Sequence, residues 1–240
     1  MRIEDLDRLT SSELWVNRQL LDLASLGVTS DLEVAYQSQR FQTYRDYVRE
    51  LKGLGLTYPC FCSRREVAES SAAPHGNFQI YGGRCRDLSR RERERLQQTR
   101  SPAIRLRVDL VTRSGGLVND VVLLRNDGIP AYNLAVVVDD ELQGVTEVVR
   151  GADLEDITPS QMHLQALLGF RTPEYVHIPL VVGPDGNRLS KRHGSVTLAD
   201  CLQLGFSPTE VRRALLRSLD VGSNGWGPSS SLSAWLKSLL

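Results

Sequence analysis

The fold is decided by a stretch in the second half of the chain, which reads Val145-Thr146-Glu147-Val148-Val149-Arg150-Gly151-Ala152-Asp153-Leu154. Its first part, 145–149, predicts a β-strand that is followed by Arg150. A helix is predicted over 160–168, closed by Gly169, and a second strand over 175–182. Because strands that alternate with helices are typical of a parallel sheet covered by helices, we predict an α/β fold.

The segments on either side extend this alternation. Helices are predicted where apolar residues recur every three or four positions, and strands where they alternate with polar ones. The helices cover 11–27, 40–54, 89–98, 211–219 and 232–240, and the strands cover 56–62, 103–108 and 118–125. Ser207-Pro208-Thr209-Glu210 predicts a capped start for the helix over 211–219. Residues 131–142 leave two alternatives, because the apolar block 134–138 suits a buried strand and the acidic residues behind it suit a half-buried helix. We favour the helix.

The composition is that of a globular chain with enough apolar residues for one large core or two smaller ones. Of 240 residues, 41% are hydrophobic and 24% are charged, which excludes a disordered tail and a small disulfide-stapled scaffold. We predict a main α/β core from residues 1–57 and 103–200, and a helical C-terminal region over 201–240. Residues 58–102 interrupt the alternation with cysteines, glycines and an Arg-rich helix, so we expect an inserted subdomain there.

Nothing in the sequence predicts insertion into a membrane. No apolar run approaches the ~20 residues of a membrane span. Met1 is followed closely by charged residues rather than by the apolar stretch of a signal peptide. We therefore expect a cytoplasmic protein without a membrane partner.

Charge is balanced over the whole chain but segregated locally. The 29 basic and 29 acidic side chains cancel, so the chain offers no bulk attraction to nucleic acid. Arg residues nevertheless dominate the segment 84–107. One interpretation is a phosphate-contacting face for a nucleic acid. The other, favoured on these residues alone, is a solvated helix whose alternating Arg and Glu side chains form ion pairs over 90–95.

The cysteines indicate a metal site. In a reducing compartment cysteines serve metal binding more often than disulfides, and Cys60, Cys62 and Cys85 all lie in the inserted segment. Three thiolates with a fourth donor suit a closed tetrahedral zinc site, with Tyr81 and His75 as alternatives for the fourth ligand. The spacing allows equally that all three cysteines are buried without a metal.

Two further sets of residues suit phosphate and amino-acid chemistry. Residues 183–194 predict a surface loop whose basic side chains and hydroxyl suit a polyphosphate, with a solvated hairpin tip as the alternative. Glu4, Tyr132 and Arg150 could bind the ammonium and carboxylate groups of an amino acid. As isolated residues they would be surface charges and an interface tyrosine.

Taken in chain order, these features resemble the catalytic core of the class I glutaminyl and glutamyl tRNA synthetases. The resemblance is carried by Arg2-Ile3-Glu4-Asp5, by Val149-Arg150-Gly151-Ala152-Asp153-Leu154 with Thr158-Pro159-Ser160-Gln161, and by Arg188-Leu189-Ser190-Lys191-Arg192. The last motif resembles the family's Lys-Met-Ser-Lys-Ser loop. Within the family, the chain is similar from Met1 to about residue 200 to short paralogues that lack anticodon-binding domains and act on queuosine in tRNA(Asp).

The resemblance implies a fold, a reaction and a set of residues. The fold is a class I Rossmann-like parallel sheet, here the catalytic core, with an inserted zinc-binding subdomain and a short helical C-terminal region. The reaction is the activation of glutamate with ATP and Mg²⁺ and its transfer, by a monomer, to queuosine at the wobble position of tRNA(Asp). The residues are Glu4, Tyr132 and Arg150 for glutamate; Cys60, Cys62, Tyr81 and Cys85 for structural zinc; and Arg188, Leu189, Ser190, Lys191 and Arg192 for ATP, with Lys191 catalytic.

One departure from the family pattern concerns the ATP site. The family places a strand, a loop with a His-Ile-Gly-His-type motif and a helix before Arg-Ile-Glu-Asp, whereas here Met1 directly precedes that motif. We therefore expect an N-terminally incomplete core that lacks part of the phosphate site. Two alternatives to the queuosine enzyme follow: a fragment of a discriminating glutamyl-tRNA synthetase, or a catalytically inactive zinc-containing module that binds glutamate or tRNA.

Overall fold

The computed structural model describes residues 1–7, 11–70, 81–108, 118–180 and 197–219. The chain divides into two compact units. The terminal unit comprises Met1, Asp7–Ala35 and His177–Leu240, and the central unit comprises Arg2–Leu6 and Tyr36–Val176. The predicted loop over 183–194 and the predicted helix over 232–240 lie outside the described residues.

Short strands and helices alternate along the described residues. The strands are β1 (Arg2–Ile3), β2 (Ala35–Tyr36), β3 (Thr57–Cys60), β4 (Ala103–Leu106), β5 (Val122–Leu124), β6 (Glu147–Gly151) and β7 (Glu174–Ile178). The α-helices are α1 (Glu13–Ser25), α2 (Phe41–Gly53), α3 (Arg64–Ser70), α4 (Arg90–Gln97), α5 (Tyr132–Leu142), α6 (Thr158–Leu167), α7 (Leu198–Gln203) and α8 (Pro208–Leu219). None of these helices is both long enough and apolar enough to cross a lipid bilayer.

The helix favoured over 131–142 is confirmed, because α5 forms there. Its apolar block from Leu134 to Val138 is buried throughout. The same continuous run of apolar residues is why the sequence also suited a buried strand. α2 is more regularly amphipathic, since Tyr44, Val48 and Leu51 are buried at helical spacing. Side chains of α2, α5, α6, β4 and β5 share one apolar core in the central unit.

The predicted parallel pairing is wrong for the three strands of the central sheet, which lie in the order β3-β4-β5. β3 pairs antiparallel with β4, with Thr57 opposite Leu106 and Cys60 opposite Ala103. β4 in turn pairs antiparallel with β5. The physical reason is that the segment 61–102 leaves and returns at one end of the sheet, as the loop of a long hairpin does, whereas a parallel pair needs a crossover.

Capping groups define the helices of the terminal unit. Ser12 caps α1, and Gly27 follows the helix with φ +79, the left-handed conformation that ends many helices. The predicted start of α8 is confirmed, because Ser207 and Glu210 form a reciprocal capping box with hydrogen bonds of 2.8 and 3.3 Å. α7, for which the sequence predicted no separate bounds, begins with a second capping box, at Thr197.

Asp139 is a buried carboxylate of the central unit that accepts hydrogen bonds from three described side chains. Its side chain is fully buried on α5 and accepts hydrogen bonds from Arg40 Nη1 at 2.6 Å, Tyr44 Oη at 2.8 Å and Gln37 Nε2 at 2.9 Å. Burial raises the pKa of Tyr44, and the hydrogen bond to Asp139 raises it further. The carboxylate therefore fixes α5 to the segment that leads into α2.

Replacing Asp139 should cost much more stability than replacing a surface carboxylate. Asp139→Ala leaves a half-buried guanidinium, a buried phenol and a buried amide without their acceptor, so we expect a loss of about 3–5 kcal/mol in the free energy of unfolding by urea. Asp46→Ala is the matched control, because Asp46 pairs with Arg49 across 2.9 Å at an exposed site. Its expected change is below about 1 kcal/mol. Equal losses in the two variants would contradict this view of Asp139.

Candidate functional site

Arg150 is fixed in place by the first turn of α6. It lies within β6, one residue further into the strand than the sequence predicted. Its guanidinium donates to Gln161 Oε1 at 2.7 Å and to Thr158 Oγ1 at 2.6 Å. The carbon Cζ of Arg150 lies 4.8 Å from the centre of the Tyr175 ring, a cation–π geometry. These contacts restrict the rotamers of the side chain and hold the cation ready for a ligand.

Tyr132 links Arg150 to Glu4. Burial raises the pKa of the Tyr132 hydroxyl; the negative charge of Glu4 raises it further, while the charge and hydrogen bonding of Arg150 lower it. Tyr132 begins α5 and is 37% exposed, so a ligand can reach it. The charges of Glu4 and Arg150 thus both act on this phenol. The use of the three groups for an amino acid stays a prediction.

Arg2 is a further member of this site to which the sequence gave no role. Its guanidinium donates to Asp140 Oδ1 at 2.7 Å and to Gln143 Oε1 at 2.9 Å, both on or next to the end of α5. It also donates to Glu4 Oε1 at 3.0 Å. Burial raises the pKa of Asp140, and the hydrogen bond and charge of Arg2 act in the opposite direction.

Taken together, these groups can bind an α-amino acid with an acidic side chain. A carboxylate such as Glu4 suits an ammonium group, and a fixed guanidinium such as Arg150 suits a carboxylate in a bidentate contact. The predicted ATP residues, Arg188, Leu189, Ser190, Lys191 and Arg192, lie outside the described residues. Their place relative to Arg150 stays a prediction.

The three cysteines of the inserted segment form a cluster with Tyr81. The sulfur atoms of Cys60, Cys62 and Cys85 all lie within 4.8 Å of one another, and none is in a disulfide. The Tyr81 hydroxyl lies 3.4 Å from Cys60 Sγ and 3.6 Å from Cys62 Sγ. Zinc–sulfur bonds of ~2.3 Å in a tetrahedron place sulfur atoms ~3.8 Å apart. The three thiols and the Tyr81 hydroxyl are therefore close enough together to be candidate ligands of one metal ion. His75 lies outside the described residues.

Burial raises the pKa of the Cys62 thiol to about 12 and raises the pKa of Tyr81 as well. Burial acts in the same direction on Cys85, but hydrogen bonds from the Phe61 backbone and from Tyr81 lower the pKa of that thiol. The Tyr81 ring is covered by Arg105, whose Cζ lies 4.0 Å from the ring centre. The backbone N–H of Tyr81 donates to Asn119 Oδ1 at 3.0 Å. Tyr81 is thus held from its ring face and from its backbone.

Several arginines of the segment 84–107 form ion pairs. Arg90 Nε lies 2.8 Å from Glu94, and Arg86 Nη2 lies 2.7 Å from the buried Asp120. α4 begins with a capping box at Ser89 and has no buried residue. A solvated helix therefore accounts for much of this charge. This is the interpretation that the sequence favoured over a phosphate-contacting face.

Comparison with known proteins identifies the family. A model of the tRNA synthetases class I (E and Q), catalytic domain, matches residues 1–223. The chain belongs to this family of class I synthetases. The resemblance inferred from the motifs is thereby confirmed, and with it the class I synthetase catalytic fold. Members are ligases, for which ATP and Mg²⁺ are the expected cosubstrate and metal.

Similar curated proteins fall into two groups. The chain is 49% identical to the glutamyl-Q tRNA(Asp) synthetase of Nocardia farcinica, covering 91% of this chain and 73% of that protein. It is 46% identical to the protein of the same name from Cutibacterium acnes, covering 91% and 65%. Identity to glutamate–tRNA ligase 2 of Halorhodospira halophila is 38%, covering 90% and 49%. This synthetase chain therefore spans about half the length of that ligase.

Solved structures agree with the family assignment. The glutamate tRNA ligase from Elizabethkingia meningosepticum has a TM-score of 0.67 to this chain at 22% identity, covering 96% of this chain and 55% of that one. The glutamate-tRNA synthetase from Elizabethkingia anophelis has a TM-score of 0.63 at 25% identity, covering 80% and 46%. At 22% identity the first likeness establishes the fold alone.

The convergence of Glu4, Tyr132 and Arg150 can be tested without a substrate. Glu4→Gln should lower the pKa of Tyr132, because it removes a nearby negative charge, and Arg150→Gln should raise it by removing a positive one. The measurement is an ultraviolet pH titration of tyrosinate, taken as the difference between each protein and its Tyr132→Phe version. Asp127→Asn, on the turn after β5, is the control and should leave the Tyr132 pKa unchanged. Identical titrations in all variants would place the three groups apart.

Proposed function

We propose that this chain activates glutamate with ATP and Mg²⁺ and transfers it to queuosine at the wobble position of tRNA(Asp). The observation that supports the proposal is a guanidinium, Arg150, held by Gln161 and Thr158, whose charge acts together with that of Glu4 on Tyr132. These residues occur in a chain 49% identical to a glutamyl-Q tRNA(Asp) synthetase. The second candidate, charging of tRNA(Glu), is favoured by the 38% identity to a glutamate–tRNA ligase.

Each glutamate-binding residue has a distinct role in the proposal. Glu4 accepts the substrate ammonium group, and Arg150 binds the side-chain carboxylate. Tyr132 lies between these charges, and its hydroxyl adds a hydrogen bond to the bound amino acid. A neutral glutamine side chain would leave the guanidinium of Arg150 without a charge partner, which selects glutamate over glutamine.

Activation then needs positioning more than covalent help from the protein. A carboxylate oxygen of glutamate attacks the α-phosphorus of ATP, and pyrophosphate leaves with the electron pair of the broken P–O bond. A hydroxyl of queuosine next attacks the carbonyl carbon of the mixed anhydride, AMP leaves, and the hydroxyl proton passes to solvent. Lys191, within the loop from Arg188 to Arg192, would neutralise the phosphate charge that develops.

The donor set of the cysteine cluster fits a structural zinc ion. Cys60, Cys62 and Cys85 would supply thiolates and Tyr81 the fourth ligand, so no position is open for substrate. The ion would stabilise the inserted segment, whose described apolar cluster is small and contains the cysteines themselves. In this proposal the metal supports the fold and takes no part in the chemistry.

Aminoacylation assays distinguish the candidate functions. We expect glutamate to be transferred to tRNA(Asp) that carries queuosine, and to neither tRNA(Asp) that lacks it nor tRNA(Glu). Charging of tRNA(Glu) would favour the second candidate. Binding of glutamate or tRNA without pyrophosphate exchange would favour an inactive binding module.

Arg150→Ala should abolish most of the activity of the synthetase. Loss of a charged partner of the substrate carboxylate costs ~2–5 kcal/mol, so kcat/KM for glutamate should fall at least ~30-fold. Arg125→Ala, which breaks a surface pair with Asp127, is the control and should change it less than ~2-fold. A small effect of Arg150→Ala would remove Arg150 from the glutamate site.

Metal analysis tests the zinc proposal. We expect one zinc ion per chain in the purified protein, and its loss in Cys62→Ser with a lower midpoint of thermal unfolding. Cys201→Ser, at a buried free cysteine of α7, should retain the ion. Tyr81→Phe keeps the ring but removes the oxygen, so unchanged zinc affinity in this variant would assign the fourth ligand to another residue.

A further inference from the structure

Arg2 connects the candidate glutamate site to α5 through a nearly buried guanidinium. Its side chain, in β1, is only 17% exposed, and the side chain of its partner Asp140 is 8% exposed. Nη1 donates to Asp140 Oδ1 at 2.7 Å and to Gln143 Oε1 at 2.9 Å. Because exposure is low and two acceptors share one nitrogen, the guanidinium has little freedom to rotate.

The same guanidinium restrains Glu4 at one oxygen only. Nε and Nη2 both donate to Glu4 Oε1, at 3.3 and 3.0 Å. No described residue donates a hydrogen bond to the other oxygen, Oε2, and the Glu4 side chain is 43% exposed. The fixed oxygen orients the carboxylate, and the second oxygen stays open to an incoming donor.

A restraint of this kind matters because a glutamate side chain has three rotatable bonds. An exposed carboxylate without a partner samples many rotamers, and binding a ligand then costs the entropy of ordering it. Arg2 orders Glu4 before the ligand arrives. It also fixes Glu4 to α5, the helix that begins with Tyr132, the other group that senses the Glu4 charge.

We propose that Arg2 is a positioning residue, which aims the free oxygen of Glu4 at the ammonium group of the amino-acid substrate. This inference rests on the proposed function, in which Glu4 receives that ammonium group. Arg2 does not contact the substrate itself. Arg2 therefore contributes to the affinity for the substrate through the ammonium group alone. Its contribution does not depend on the side-chain carboxylate, which Arg150 binds.

Comparing the binding of glutamate and glutarate tests this role directly. Glutarate has the two carboxylates of glutamate but no ammonium group. Dissociation constants of both are measured by calorimetry for the wild-type chain, Arg2→Gln, Glu4→Gln and the double variant. We expect Glu4→Gln to weaken glutamate at least ~10-fold and Arg2→Gln to weaken it ~3- to 10-fold, with glutarate changed less than ~2-fold. In the Glu4→Gln background, Arg2→Gln should add less than ~2-fold.

Matched variants guard against a general loss of structure. Arg2→Gln leaves Asp140 buried without its cation, so Arg2→Gln with Asp140→Asn is measured as well and should give the same glutamate-specific loss. Gln143→Leu removes only the neutral partner of Arg2 and should leave glutamate binding within ~2-fold. Arg2→Lys keeps the positive charge but lacks the planar set of N–H donors of a guanidinium. It should therefore bind glutamate more tightly than Arg2→Gln and more weakly than the wild-type chain.

The outcomes separate the role of Arg2 from the proposed function. Equal weakening of glutamate and glutarate, or full additivity of Arg2→Gln with Glu4→Gln, would overturn the positioning role and leave the glutamate site intact. If the wild-type chain does not bind glutamate, or if Glu4→Gln leaves the affinity for glutamate unchanged, both the positioning role of Arg2 and the proposed function are overturned. Only the predicted pattern, specific to glutamate and dependent on Glu4, supports the inference.

Discussion

Two adjacent buried carboxylates on α5, Asp139 and Asp140, determine how the candidate site is assembled. Asp139 accepts from Arg40 and Tyr44, and Asp140 accepts from Arg2. A buried carboxylate without such partners would be protonated or would destabilise the fold, so each one requires a donor from a distant part of the chain. By meeting that requirement, β1 and α2 are placed against the helix that begins with Tyr132.

This arrangement explains why the site is built from residues far apart in sequence. Arg2 and Asp140 are separated by 138 positions, yet their contact measures 2.7 Å. Glu4 and Arg150, the two charged residues of the proposed glutamate site, are each restrained by another side chain, Arg2 and Gln161 respectively.

Local sequence patterns predicted the elements, whereas the pairings between them depend on contacts that no local pattern contains. The period of apolar residues was sufficient for α2, and the capping pattern from Ser207 to Glu210 was sufficient for the start of α8. For α5 the apolar block left a strand and a helix open, and the acidic residues behind it favoured the helix that forms. The antiparallel order of the central sheet was not predicted, because alternation of strands and helices says nothing about where a long insertion returns. Arg2 lacked a role in the sequence because its acceptors become neighbours only in the fold.

The cysteine cluster and the proposed glutamate site are joined through buried hydrogen bonds. Tyr81 donates its N–H to Asn119 Oδ1 at 3.0 Å, and Asn119 donates its own N–H to Ser160 Oγ at 2.9 Å. Ser160 lies in the same turn of α6 as Gln161, which fixes Arg150. Because the connecting groups are buried and polar, displacing Tyr81 would break its hydrogen bond to Asn119 unless Asn119 moved with it. A displacement of Tyr81 can therefore reach Arg150, the residue proposed to bind the substrate carboxylate, through a short series of buried hydrogen bonds.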